Sequence, residues 1–183
     1  MSQKLLENNY LHTTKVSKAM QARESITLFF RSIEKNFNPI YIDSFISNIT
    51  IDRKTINVSL NQIRDVPVDF WMKVAILYKQ QSSKTYRSMV SFNINVCDML
   101  RSELNHQSLV HLWFANLLKY SNMPRTCPWK AGSYHWHNLR PEPDSIPKFI
   151  STGLYRVDAK FYLKASKNDL YTNMTIIFET HRK

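Results

Sequence analysis

The stretch LYRVDAKFYLK, residues 154–164, alternates apolar and polar side chains along its whole length. Tyr155, Val157, Ala159, Phe161 and Leu163 fall on one face, and Arg156, Asp158, Lys160, Tyr162 and Lys164 on the other. A period of two is that of a strand with one buried face. One buried and one wet face means an antiparallel sheet, because parallel strands covered on both sides read as unbroken apolar runs.

The same period recurs on both sides of this stretch. In DFWMKVAILYK the apolar face holds Phe70, Met72, Val74, Ile76 and Tyr78, and in MVSFNINVC it holds Val90, Phe92, Ile94 and Val96. In LYTNMTIIFETH it holds Thr172, Met174, Ile176 and Phe178. Ile56, Val58 and Leu60 form one face of TINVSLNQ, Ile49 and Ile51 alternate with polar residues, and SYHWHNL reads as a further strand. The joining segments NQIRDVP and KQQSSKTYRS are short and polar, as hairpin or sandwich connections are. The pattern predicts about six to eight antiparallel strands in one domain.

Residues 105–120 break the alternation. Leu109, Val110, Leu112, Trp113, Phe114, Leu117, Leu118 and Tyr120 are too dense for an edge strand and predict a helix. Asn105 or Ser108 is its N-cap, and the run Ser121-Asn122-Met123-Pro124 stops it. Its apolar residues cover more than one stripe, so the helix is largely buried or covers something apolar. Pro141, Pro143 and Pro147 mark an extended, irregular segment beyond it. Residues 1–25 are polar and without a sustained period. Met20, Ala22, Ile26, Phe29, Phe30 and Ile33 recur at helical spacing over residues 19–37, which allows either a short amphipathic helix or a terminal segment that packs nowhere in particular. The expected organisation is an N-terminal arm over residues 1–37 followed by one β domain over residues 38–183.

The chain has 183 residues, 43% of them hydrophobic and 13% aromatic, which suits a folded domain rather than a disordered one. A net charge of +11 admits nucleic acid, an anionic membrane surface or an acidic partner. The basic residues are spread along the chain among acidic ones, without the clustering of a nucleic-acid footprint, so no nucleic-acid partner is expected. Only two glycines are present, which excludes a P-loop, a dinucleotide fingerprint and a Gly-x-Ser-x-Gly elbow. No pair of carboxylates has a spacing that forces them together. His135 and His137 flank Trp136 on one strand face, but no third ligand accompanies them and no metal is expected. No enzyme activity and no cofactor are expected.

Residues 97–153 hold both cysteines, both glycines and five of the seven prolines. Cys97 and Cys127 fit one bridge in a secreted domain or two thiols in a cytosolic one. Three N-glycosylation sequons, at Asn48, Asn57 and Asn173, all fall on the polar sides of their strands and favour the oxidising compartment and the bridge. Such a bridge would close a loop worth roughly 3.5–4 kcal/mol in the chain-entropy account. Residues 1–25 show neither the apolar core nor the cleavage site of a signal peptide.

The segments CPWKAGSYHW and IPKFISTGLYRVDAKF carry a recognisable pattern: Cys127, Pro128, Trp129, Gly132 and Tyr134, then Pro147, Gly153, Tyr155 and Arg156. It resembles the signature of the ML (lipid-recognition) proteins, the ganglioside-activator group in particular. The longer stretch FNINVCDML…LLKYSNMPRTCPWKAGSYHW resembles a large insect family of secreted proteins of unassigned function that includes the chemosensory B proteins. The resemblance covers about residues 40–180. It implies a mainly β protein, an antiparallel immunoglobulin-like β-sandwich or β-cup, with the apolar helix over the mouth of a hydrophobic cavity.

On that reading the residues expected to line the cavity are Val74, Phe92, Ile94, Leu112, Trp113, Leu117, Trp129, Trp136, Tyr155, Phe161 and Phe178. The implied work is non-catalytic binding of a lipid or hydrophobic small molecule outside the cell, in chemosensation for example, with a membrane receptor or channel as a further partner. The alternative is a solid-core extracellular interaction protein with no lipid ligand. Nothing in the sequence specifies an oligomeric state.

Overall fold

The computed structural model describes residues 26–80, 82–102, 108–147, 150–166 and 169–182. The protein is mainly β. Eight strands are described: β1 Ile26–Phe37, β2 Ile42–Ile49, β3 Ile56–Gln62, β4 Phe70–Lys79, β5 Arg87–Asn95, β6 Gly132–Leu139, β7 Gly153–Leu163 and β8 Asp169–Arg182. Helices α1 (Val96–Arg101) and α2 (Leu109–Lys119) and a 3-10 turn at Pro143–Ser145 lie between β5 and β7. The strands form two antiparallel sheets, one in the order β1-β8-β7-β4-β5 and one in the order β2-β3-β6. Among the described residues no helix is long and apolar enough to cross a membrane.

Alternation becomes burial as the period requires. In β3, Ile56, Val58, Leu60 and Gln62 are buried while Asn57, Ser59 and Asn61 are not. Between the sheets, Phe70 sits edge-on to Trp129 at 5.3 Å and to Tyr171 at 5.1 Å. Gln62, only 2% exposed, is the polar member of this layer. Its amide donates to the carbonyls of Lys130 (2.9 Å) and Trp129 (3.3 Å), and its Oε1 accepts from the Tyr171 hydroxyl at 2.7 Å. A buried amide held on three sides is compatible with the core, since its partners replace water.

Two expectations need correction. Residues 26–37, expected to continue a helix or a terminal segment that packs nowhere, form β1, which pairs with β8 from Ile26↔Arg182 to Phe37↔Thr172. A bulge between Phe30 and Ser32 inserts one residue, so the inward positions step from Phe30 to Ile33. That step of three imitates a helical period, and the β domain therefore takes in β1 rather than starting at residue 38. Residues 19–25 lie outside the described residues. The second correction concerns Val96, read as the last apolar position of β5. It opens α1 instead, because the Asn95 side chain accepts from the backbone N–H groups of Cys97 (2.9 Å) and Asp98 (3.0 Å). That is N-cap chemistry, and it ends the strand.

α2 occupies the predicted helix. Ser108 stands at its N-cap without a side-chain cap bond, and Asn105 lies outside the described residues. Ser121 then bridges to Trp136 of β6. Cys97 and Cys127 are joined, with their Cα atoms 5.7 Å apart, so the bridge links α1 to the approach to β6.

Candidate hydrophobic binding cavity

The inner face of the five-stranded sheet presents its side chains in rows fixed by the register. One row runs Ile176, Val157, Ile76, Val90 across β8, β7, β4 and β5, and the next runs Met174, Ala159, Val74, Phe92. Phe178 and Tyr155 lie in the row on one side, stacked at 5.3 Å, and Phe161 and Met72 in the row on the other. Ala159 is the small member of this floor. Opposite it stand Val110, Trp113, Phe114 and Leu117, one stripe of α2, with Ile146 and Ile150 from the segment that follows β6. The two surfaces enclose an apolar cavity of about 300 Å³. It reaches the surface at Met89, which lines it and is 37% exposed.

α2 is fastened to residues 140–145 along its length. Trp113 Nε1 donates to the Ser145 carbonyl at 2.8 Å, Asn116 Nδ2 to the Arg140 carbonyl at 2.6 Å, and Lys119 Nζ to Glu142 at 2.7 Å. The Tyr120 hydroxyl donates to the same Glu142 carboxylate. These bonds, that from Lys119 first, hold the Glu142 carboxyl below its ordinary range, while burial pushes the Tyr120 hydroxyl up. Among the described residues no Lys, Arg, His, Asp or Glu lines the cavity.

Of the eleven residues expected to line a cavity, Val74, Phe92, Trp113, Leu117, Tyr155, Phe161 and Phe178 border this one. Ile94, Leu112, Trp129 and Trp136 do not. Ile94 packs against the buried core, Leu112 is half-buried on α2, and Trp129 and Trp136 are buried on the side of the three-stranded sheet. Leu28 and Phe30 border the cavity from β1, the segment assigned to the arm. Ile146 and Ile150 come from the proline-marked segment, where no periodicity pointed inward.

The sequons differ in setting. Asn48 and Asn173 are exposed, whereas Asn57 is half-buried opposite Asn48 and accepts from the Asn138 N–H at 2.9 Å. His135 and His137 place their rings 4.5 Å apart, and no group of three or more metal-ligating side chains occurs among the described residues.

Fold and cavity together define a mainly β, two-sheet, disulfide-bridged protein with an apolar cavity against its larger sheet. Residues 72–157, from β4 into β7 and including both helices and the disulfide, match a family model described as "Protein of unknown function (DUF1091)". No curated protein matches the chain.

Proposed function

We infer that this protein is a non-catalytic, secreted binding protein for a lipid or hydrophobic small molecule. It is an immunoglobulin-like β-cup with α2 over the cavity mouth, related to the ML lipid-recognition proteins and to the insect chemosensory B proteins. The observation that carries the reading is the cavity of about 300 Å³ walled by aliphatic and aromatic side chains. Pockets of this size and lining are where apolar ligands bind, and burial contributes about 25 cal/mol per Å² of apolar ligand surface. Delivery to a membrane receptor or channel is the work such a carrier would do. The cavity speaks against the solid-core alternative, which needs that space filled.

The test is native mass spectrometry of protein secreted from insect cells behind an added signal peptide, with lipid extraction of the same sample. A co-purified apolar ligand that is lost on extraction supports the reading. A protein that is always empty, and that takes up no apolar probe when one is offered, sinks it.

A further inference from the structure

Each sheet has two edge strands, and the chain itself covers three of these four edges. β1 and β2 lie edge to edge. The Phe30 N–H donates to the carbonyl of Arg53, in the turn after β2, at 2.7 Å, and Arg53 Nε returns a bond to the Phe30 carbonyl at 3.0 Å. Further along, Lys35 Nζ of β1 donates to Ser47 Oγ of β2 at 2.9 Å. The outer side of β6 is taken by residues 120–122: the His137 N–H donates to the Tyr120 carbonyl at 2.9 Å and the His135 N–H to Asn122 Oδ1 at 2.7 Å.

The fourth edge, β5, differs. It pairs with β4 alone, and among the described residues its main chain makes no hydrogen bond on the other side. It is also the one described strand without a buried residue. Alternate residues of an antiparallel strand turn their N–H and C=O groups to the same side, so about half of this main chain faces outward unpaired. Exposed edges are ordinarily blunted by proline, lysine or an inward-pointing charge. β5, RSMVSFNIN, has no proline and no lysine, and its one charged residue, Arg87, stands at its first position. Its single bulge, at Met89, leaves Val90–Asn95 in regular register with β4. The three sequons lie on β2, β3 and β8, away from this edge.

Such an edge suits a second copy of itself. Under a two-fold axis at Ser91–Phe92 the half-buried Val90, Phe92 and Ile94 of both copies share one side of the joint ladder, and the exposed Ser91 residues meet on the other. The two Arg87 side chains fall at opposite ends, about 30 Å apart at 3.4 Å per residue. One such pairing uses up the open edge of each copy, so the assembly closes at two. We propose that β5 pairs antiparallel with β5 of a second copy, joining the two five-stranded sheets into one. The proposal is independent of the carrier reading.

The experiment is sedimentation velocity of the full chain over a concentration series at low and high salt. A single added ladder buries little area, so the dimer is of the weak, transient class and appears as concentration rises. Higher salt tightens it, because two copies that each carry a net charge of +11 repel through solvent. Ser91 is exposed and pairs with Ala75, on the face away from the cavity, so a charge there leaves the fold of the monomer intact. Ser91→Lys weakens dimerisation by roughly tenfold or more through like charges brought together near the axis, and Ser91→Glu does the same. Mixing the two variants restores the dimer as a heterodimer, since their charges now attract across the pair. In the wild type, amide hydrogen exchange along residues 87–95 slows as concentration rises, which supports the pairing without any variant. A protein that stays monomeric at every concentration and salt overturns the proposal and leaves the edge for a strand of a different protein. A dimer that neither Ser91→Lys nor Ser91→Glu weakens, or one that leaves exchange along residues 87–95 unchanged, overturns it as well.

Discussion

Replacing Gly153 with alanine should destabilise the protein by about 1–2 kcal/mol, and the whole of that cost should run through one ring. Gly153 is buried at the start of β7. A Cβ there would lie 2.4 Å from Cε2 of Tyr78 and 3.2 Å from its Cζ and hydroxyl oxygen. No glycine in the described residues has a positive φ, so contact and not backbone conformation decides the outcome. Tyr78 cannot swing away freely. Its hydroxyl donates to the Thr152 carbonyl at 3.3 Å, and its ring lies 5.0 Å from Tyr155, which is fully buried against Phe178. Forced repacking of this kind costs about 1–3 kcal/mol, while alanine recovers roughly 0.4–1 kcal/mol by restricting the unfolded chain. Urea unfolding of wild type, Gly153→Ala, Tyr78→Ala and the double variant forms the cycle. In the Tyr78→Ala background the glycine substitution should be neutral or slightly stabilising. An equal loss in both backgrounds would refute the argument, as would a neutral Gly153→Ala in the wild type.

Three further perturbations have signs set by the structure. Removing the bridge with Cys97→Ser and Cys127→Ser, across a separation of 30 residues, should cost about 3.5 kcal/mol in urea, and reductant should produce the same loss in the wild type but none in the variant. Gln62→Leu should cost about 1–3 kcal/mol by stranding the Tyr171 hydroxyl and two carbonyls, with part of the loss recovered by adding Tyr171→Phe, as urea unfolding would read. Glu179 accepts from Arg31 and from Arg53, the latter at 2.8 Å, and these bonds hold its carboxyl below the ordinary range. A depressed folded-state pKa means stabilisation that is complete above the unfolded carboxyl range and lost as pH falls through the folded value. Glu179→Gln should therefore be less stable than wild type at neutral pH, by up to about 1 kcal/mol, and the gap in thermal melts should close as the pH drops below about 4.

Strand identity was readable wherever the two-residue period ran unbroken. β3 and β4 bury the sides that their alternation marks, and β7 does so as far as the bulge between Phe161 and Tyr162, past which Tyr162, assigned to the outward face, is 7% exposed and Tyr171 of β8 is buried off the marked side. Reading failed where one extra residue shifts the phase. The bulge in β1 turned a strand into an apparent helical repeat, and the capping side chain of Asn95 converted the end of β5 into α1. Both are single-residue events, and both depend on the partner that accepts them: β8 for the bulge, and the N–H groups of Cys97 and Asp98 for the cap. The site suffered a different loss. Phe92 and Ile94 are equivalent by alternation, yet only Phe92 borders the cavity, while Ile94 packs against the buried core.

Three of the tryptophans show why a cavity is harder to read than a core. Trp113, Trp129 and Trp136 all belong to the same aromatic set in one dimension. In space they divide by which sheet they serve. The five-stranded sheet presents more inner face than three strands can cover, and among the described residues β2, β3 and β6 contribute no side chain to the cavity wall. Trp129 and Trp136 fill the part between the sheets, together with Phe70 and the Gln62–Tyr171 pair. The uncovered part falls to α2 and the segment after β6, whose backbones cannot follow a pleated surface as a strand would. A helix rests on its side chains at about 8–10 Å from its neighbour, and the cavity lies between the α2 side chains and the floor that holds the small Ala159. The cavity is thus a consequence of unequal sheets closed by a helix. Ala159→Leu should therefore close much of it while leaving the packing of Trp129 and Trp136 as it is. Tryptophan fluorescence checks this: the substitution should alter the share of the emission that an apolar ligand quenches through Trp113 and leave the remainder unchanged.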